Sequence, residues 1–131
     1  MRPGDGAVGH KSTSYQAPGG GGMPALALAA VPGRRRATLE LAREAERRGY
    51  AGLYCASFGD AMGLCLSIAN ATTSIEFGTS IQPIYLQHPV ALATSATYLH
   101  EVSGGRFRLG VGVTHGPVVK RLGVDTGKPL T

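Results

Sequence analysis

The chain has 131 residues, 43% of them hydrophobic and 16% charged, and a formal net charge of +5 at pH 7. That length suits one domain with a real core, and no uninterrupted apolar run approaches the roughly 18 to 20 residues a bilayer span requires, so no membrane span is predicted. The positive charge comes partly from Arg34-Arg35-Arg36 and partly from residues spaced along one helix; without interleaved aromatics or a binding motif it reads as a solvated face and argues against nucleic acid as a partner.

In chain order, residues 1–22 are rich in Gly, Pro and Ser and close with Gly19-Gly20-Gly21-Gly22. They cannot bury enough apolar surface to offset the entropy of ordering, and a disordered leader is predicted. The start has no apolar stretch behind a basic one, and Ala25 to Val31 is short and runs into Pro-Gly-Arg, so no secretory signal is expected. Pro24 to Val31 reads as a first strand buried on both faces. Leu39, Ala42, Ala45 and Glu46 recur at helical spacing, and Arg48-Gly49 gives a cationic last turn and a stop, which predicts a helix over 35–48. Ala51 to Ala56 reads as a second strand and Ala61 to Thr72 as a second helix. Cys55 and Cys65 match neither a metal knuckle nor a redox pair and are expected to be buried free thiols, in keeping with a reducing, cytoplasmic setting.

Ile75 to Ile84 is predicted as a third strand, with Pro83 at its end because proline cannot donate to a ladder. Pro89 fits the first turn of a third helix, which Ser103-Gly104-Gly105 stops. Phe107 to Val113 reads as a fourth strand, and Thr114 to Thr131 as a loop with at most one helical turn near Val118 to Leu122. Strand and helix thus alternate with short connections, which predicts right-handed βαβ units and a parallel sheet. Four such strands make a small open sheet or half of a barrel.

In parallel α/β folds the chemistry sits at the carboxyl ends of strands and in the loops that follow. Here that means Pro32-Gly33, Ser57 to Asp60, Ser80 to Gln87 and Gly112 to Gly116. A Rossmann-type dinucleotide fingerprint starting at Gly110-Val111-Gly112 fails on spacing, since the next glycine, Gly116, stands one position too far on. His88, His100 and His115 do not form a metal spacing, so no metal is expected. No serine lies in a G-x-S-x-G context.

The segments Leu41 to Tyr50 with Gly52-Leu53-Tyr54, Ile75-Glu76-Phe77-Gly78-Thr79-Ser80, His88-Pro89-Val90 with Leu92-Ala93, and Ser103 to Gly112 together resemble the luciferase-like monooxygenases, and more closely the branch that uses coenzyme F420. The resemblance runs from about Met23 to the end and implies a (β/α)8 TIM barrel of which residues 23–131 hold the N-terminal half. A half-barrel leaves two open edges and an uncovered apolar interior, so the chain is expected to be a fragment, to dimerise or to aggregate. A homodimer is expected for the longer protein.

The resemblance also implies the site. The family's third strand ends in a bulge with a non-prolyl cis peptide against which the tricyclic ring stacks, and Ser80-Ile81 is the matching pair. Gly112 and Thr114 match the stretch that borders the ring, and His115 stands where one branch has an acidic proton donor. Many members have an Asp-His pair after the second strand; this chain has Ser57-Phe58, with Asp60 nearby as a cofactor contact or a turn former. The implied cofactor is coenzyme F420, with FMN as the alternative, and the implied reaction is hydride transfer to or from a small organic substrate. An inactive half-barrel is the rival reading, and the fragment alone is expected to be inactive.

Overall fold

The computed structural model describes residues 22–127, so the leader expected over residues 1–22, but for its last residue, and residues 128–131 lie outside the described residues. The element order is β1 (Leu26–Leu28), α1 (Arg35–Arg47), β2 (Gly52–Cys55), α2 (Ala61–Ala71), β3 (Glu76–Thr79), β4 (Gln82–Pro83), a 3-10 turn (Ile84–Leu86), α3 (Pro89–Val102), β5 (Phe107–Arg108), β6 (Val111–Gly112) and α4 (Gly116–Arg121). All pairings are parallel: β1-β2-β3-β5 form one sheet, and β4-β6 extend it at the carboxyl end as a separate pair.

Two strands expected to be continuous are broken. The third stops at Thr79 and resumes at Gln82, and the fourth stops at Arg108 and resumes at Val111. The cause is a side chain in the ladder. The Thr79 hydroxyl donates to the Gly110 carbonyl at 2.7 Å and accepts from the Gly110 N–H at 2.9 Å, replacing a backbone rung. Beyond it, the Gln82 N–H donates to the same carbonyl at 2.8 Å and restarts the pairing. The first strand is shorter than the expected Pro24 to Val31, with only an isolated bridge, Met23 to Tyr50, before it.

Alternation along the strands sorts the two faces of the sheet. Leu28, Leu53, Cys55, Phe77 and Phe107 point toward the helices and form the core with Ala42, Ala45, Leu64, Cys65, Ile68 and Leu99. Cys55 and Cys65 are both buried and unbridged. The hydrogen bond with Cys55, together with burial, pushes the Cys65 thiol far up, so it stays protonated.

The opposite face differs from the apolar interior expected from sequence. Ala27, Tyr54, Gly78 and Arg108 stand in one row across it. Arg108 pairs with Glu76 at 3.0 Å, and the Tyr54 hydroxyl reaches the same carboxylate at 3.4 Å. The Tyr54 ring leans over Gly52, where a Cβ would come within 3.3 Å of it. A polar cluster therefore occupies the middle of the open face.

The lead into β3 is tied by a charged side chain. From α1, the Glu46 carboxylate accepts from the N–H groups of Thr73, Ser74 and Ile75 at 2.9, 2.6 and 2.9 Å and from the Ser74 hydroxyl at 3.1 Å. Burial opposes its charge, but these donors outweigh burial and hold the carboxyl below the ordinary glutamate value. A depressed folded pKa means that this stabilisation is fully present above the unfolded value, about 4.3, and is lost as pH falls through the folded value. Glu46→Gln is therefore expected to cost about 1 kcal/mol near neutral pH, a partly exposed site keeping the figure small. It should also flatten the fall of melting temperature between roughly pH 5 and 3. An unaltered pH profile in the variant would show that Glu46 does not carry this dependence.

Candidate functional site

Parallel pairing puts every strand's carboxyl end on one rim, and each residue expected at the site stands there. Ser80 and Ile81 are joined by a cis peptide bond, as the resemblance implied. Ser80 is exposed, its N–H donating to the Cys55 carbonyl at 2.7 Å, and Ile81 is half-buried. Gly112, opposite Pro83 in the β4-β6 pair, faces Ile81: a Cβ at position 112 would lie 2.9 Å from the Ile81 Cδ1. The space beside Gly112 is thus filled by Ile81, while the valines on either side of it stand out, Val111 at 51% and Val113 at 66% exposure. Ile84 and Leu86, from the turn after β4, are exposed as well.

Asp60 has φ of 101°, and its Oδ1 accepts from the Gly63 N–H at 2.8 Å, so it caps α2. Gly63 allows this arrangement, because a Cβ there would lie 2.5 Å from the Asp60 Oδ2. Asp60 also lines a cleft of about 500 Å³ between α2 and α3, shared with Gln82, Gln87 and Tyr98. His115 is exposed at the N-cap of α4. Its carbonyl accepts from the Val118 and Val119 N–H groups at 2.9 and 3.2 Å, and its imidazole makes no capping bond.

Thr114 lines a larger cleft, of about 740 Å³, between the Ile84–Leu86 turn and α4, with Tyr85, Val113, Val119, Lys120 and Val124. Tyr85, Lys120 and Val124 were not singled out by sequence reasoning. The loop after the third strand was the one signal that pointed toward Tyr85; residues beyond Gly116 gave none. Among the described residues no group of His, Cys, Asp and Glu side chains is arranged to hold a metal ion, and no helix is long and apolar enough to cross a membrane.

The profile of a family described as luciferase-like monooxygenase matches residues 9–131. Among solved structures, a coenzyme F420 dependent tetrahydromethanopterin reductase from Methanopyrus kandleri matches at 22% identity and a TM-score of 0.68, covering 80% of this chain and 31% of that one. The oxygenating constituent of 3,6-diketocamphane monooxygenase from Pseudomonas putida, in complex with FMN, matches at 21% identity and a TM-score of 0.66, covering 77% of this chain and 32% of that one. A monooxygenase from Streptomyces bottropensis matches at 20% identity and a TM-score of 0.61, covering 67% and 30%. No curated protein matches the chain. The chain thus spans about a third of the length of the structures it resembles.

Proposed function

The chain belongs to the luciferase-like monooxygenase family and has the parallel fold of the N-terminal half of a (β/α)8 barrel, and from that premise we propose that it contributes the cofactor-ring side of an oxidoreductase site. The reaction is hydride transfer between coenzyme F420, or FMN, and a small organic substrate. The observation that carries this reading is Ile81, half-buried on the rim against Gly112, with Val111, Val113, Ile84 and Leu86 exposed on the segments next to it. Solvent-facing apolar side chains at the carboxyl end of a parallel sheet suit the faces of a planar ring.

Ile81, backed by Gly112, would hold one face of the ring; Ser80 and Thr114 offer hydroxyls to its polar edge, and Asp60 stands nearest to α2. When bound, the cofactor supplies the carbon that carries the hydride. His115 holds or moves a proton, since its ring is exposed and free of capping duty. The longer protein is a cytoplasmic enzyme acting as a homodimer, and the chain alone binds its cofactor weakly, because the later loops of a barrel complete the phosphate site.

The test has two parts. Titrating F420 and FMN into the isotope-labelled chain should move the amide signals of Ser80, Ile81, Gly112 and Thr114, with dissociation constants weaker than micromolar; shifts confined to other residues would overturn the site. In the enzyme that turns over, His115→Ala should lower kcat roughly 10²-fold with cofactor affinity little changed. Undiminished kcat removes His115 from proton transfer. An oxygen requirement for turnover points to FMN, because the deazaflavin does not readily form the oxygen adduct.

A further inference from the structure

We propose that the cleft between the Ile84–Leu86 turn and α4 binds an anionic group carried on an apolar or aromatic body, with Lys120 as its counter-ion. This deepens the functional reading above and rests on it for placing ligands on this rim. The volume, about 740 Å³, lies inside the roughly 300 to 1,000 Å³ of small-molecule sites. Tyr85, Val113, Val119 and Val124 give it apolar and aromatic walls. At Gly116 a Cβ would meet nothing within 4 Å, so the cleft is open there.

The polar groups in the cleft are what define the ligand. Lys120 forms no ion pair among the described residues, and the hydroxyls of Thr114 and Thr126 have no hydrogen-bond partner among them. The second charged residue of the wall, Asp125, is held by its own loop through Oδ1, which accepts from the Gly127 N–H at 2.9 Å. One ammonium and two hydroxyls, all uncommitted and all able to donate, thus share a cleft in which the one carboxylate has an oxygen held by its own loop. That set suits a carboxylate or phosphate oxygen. A surface lysine at a helix C-terminus is common for reasons of charge alone, but that accounts for neither the cleft nor the free hydroxyls around it.

The anionic group can belong to the substrate or to the cofactor's phosphate, and matched probes separate the two. FMN and riboflavin share a ring and differ in the phosphate; benzoate and benzyl alcohol share a body and differ in charge. Each is titrated into the labelled chain, reading the amides of Thr114, Gly116 and Thr126. A cofactor phosphate predicts that FMN binds at least tenfold more tightly than riboflavin. A substrate anion predicts that benzoate shifts these amides at a concentration where benzyl alcohol does not, with FMN and riboflavin binding alike. In either case Lys120→Met should abolish the difference and Lys120→Arg should keep it, and signals remote from the cleft should stay in place because Lys120 is exposed. Equal binding of charged and uncharged probes, or a charge preference that survives Lys120→Met, overturns the proposal. Failure of riboflavin to move Ser80, Ile81 and Gly112, with benzoate still moving the cleft, would overturn the ring site and leave this one standing.

Discussion

Arg106→Ala is expected to cost about 3 kcal/mol of stability, the largest loss from any one charged side chain here, and to lower Tm by something like 12 °C or more for a domain of this size. The guanidinium donates to the carbonyls of Ser103, Ala69, Thr72 and Ile75 at 2.8, 3.1, 3.2 and 3.0 Å and to the Thr72 hydroxyl at 2.8 Å. It also lies over the Phe77 ring, 5.2 Å from the centroid. It thereby ties the end of α2, the lead into β3 and the start of β5. Each charged hydrogen bond is worth roughly 1.5 to 3 kcal/mol, but bonds sharing one group do not add, and water takes over some of them because the site is half-buried. The stacking adds about 0.5 to 1 kcal/mol. Lysine keeps the charge without the planar fork, so Arg106→Lys should recover less than half of the loss. Urea unfolding is the measurement, with the midpoint falling at constant m. A loss under about 1 kcal/mol would mean that solvent satisfies these carbonyls equally well.

A second large effect is expected at Gly110. A Cβ there would lie 2.2 Å from the Thr79 carbonyl oxygen, a backbone atom that no rotamer change can move. Gly110→Ala must therefore push the fourth strand from the third, stretching both bonds to the Thr79 hydroxyl and the one from the Gln82 N–H. The expected cost is about 2 to 4 kcal/mol. Because β6 moves with Gly110, Gly112 should leave Ile81, and binding of flavin rings at Ser80 and Ile81 should weaken together with stability. Gly116→Ala, where nothing stands within 4 Å, is the control, and it should stay within about 0.5 kcal/mol of the parent. Equal losses at the two positions would show that the close approach of the strands is not what Gly110 serves.

Much of the helical architecture was legible because its signals are local. Pro89 sits at the first position of α3, and Gly104 and Gly105, both at positive φ, end it. The apolar spacing of α1 places Ala42 and Ala45 in the core within a residue of the expected end. The breaks in the third and fourth strands were not legible, because they depend on one hydroxyl meeting a backbone 31 residues away. The polar open face has a local signal: Glu76 and Arg108 alternate with Phe77 and Phe107, so one face of each strand is charged. At the site, Ser80, Ile81, Gly112 and Thr114 came from the resemblance. The cleft holding Lys120 is assembled from Tyr85 and residues 113–127, a juxtaposition no local pattern encodes.

The Thr79–Gly110 joint has a mechanical consequence. Below it, four strands are bolted to helices by a shared core; above it, among the described residues, β4 and β6 pair only with each other. The sheet therefore has two plates joined across a break of two residues in each strand, where rim motions need not propagate into the floor. Elements with few buried contacts open at lower free energy than those beneath them, so β6 and its exposed valines are the compliant part of the rim, able to settle around whatever lies on them while the lower plate keeps its register.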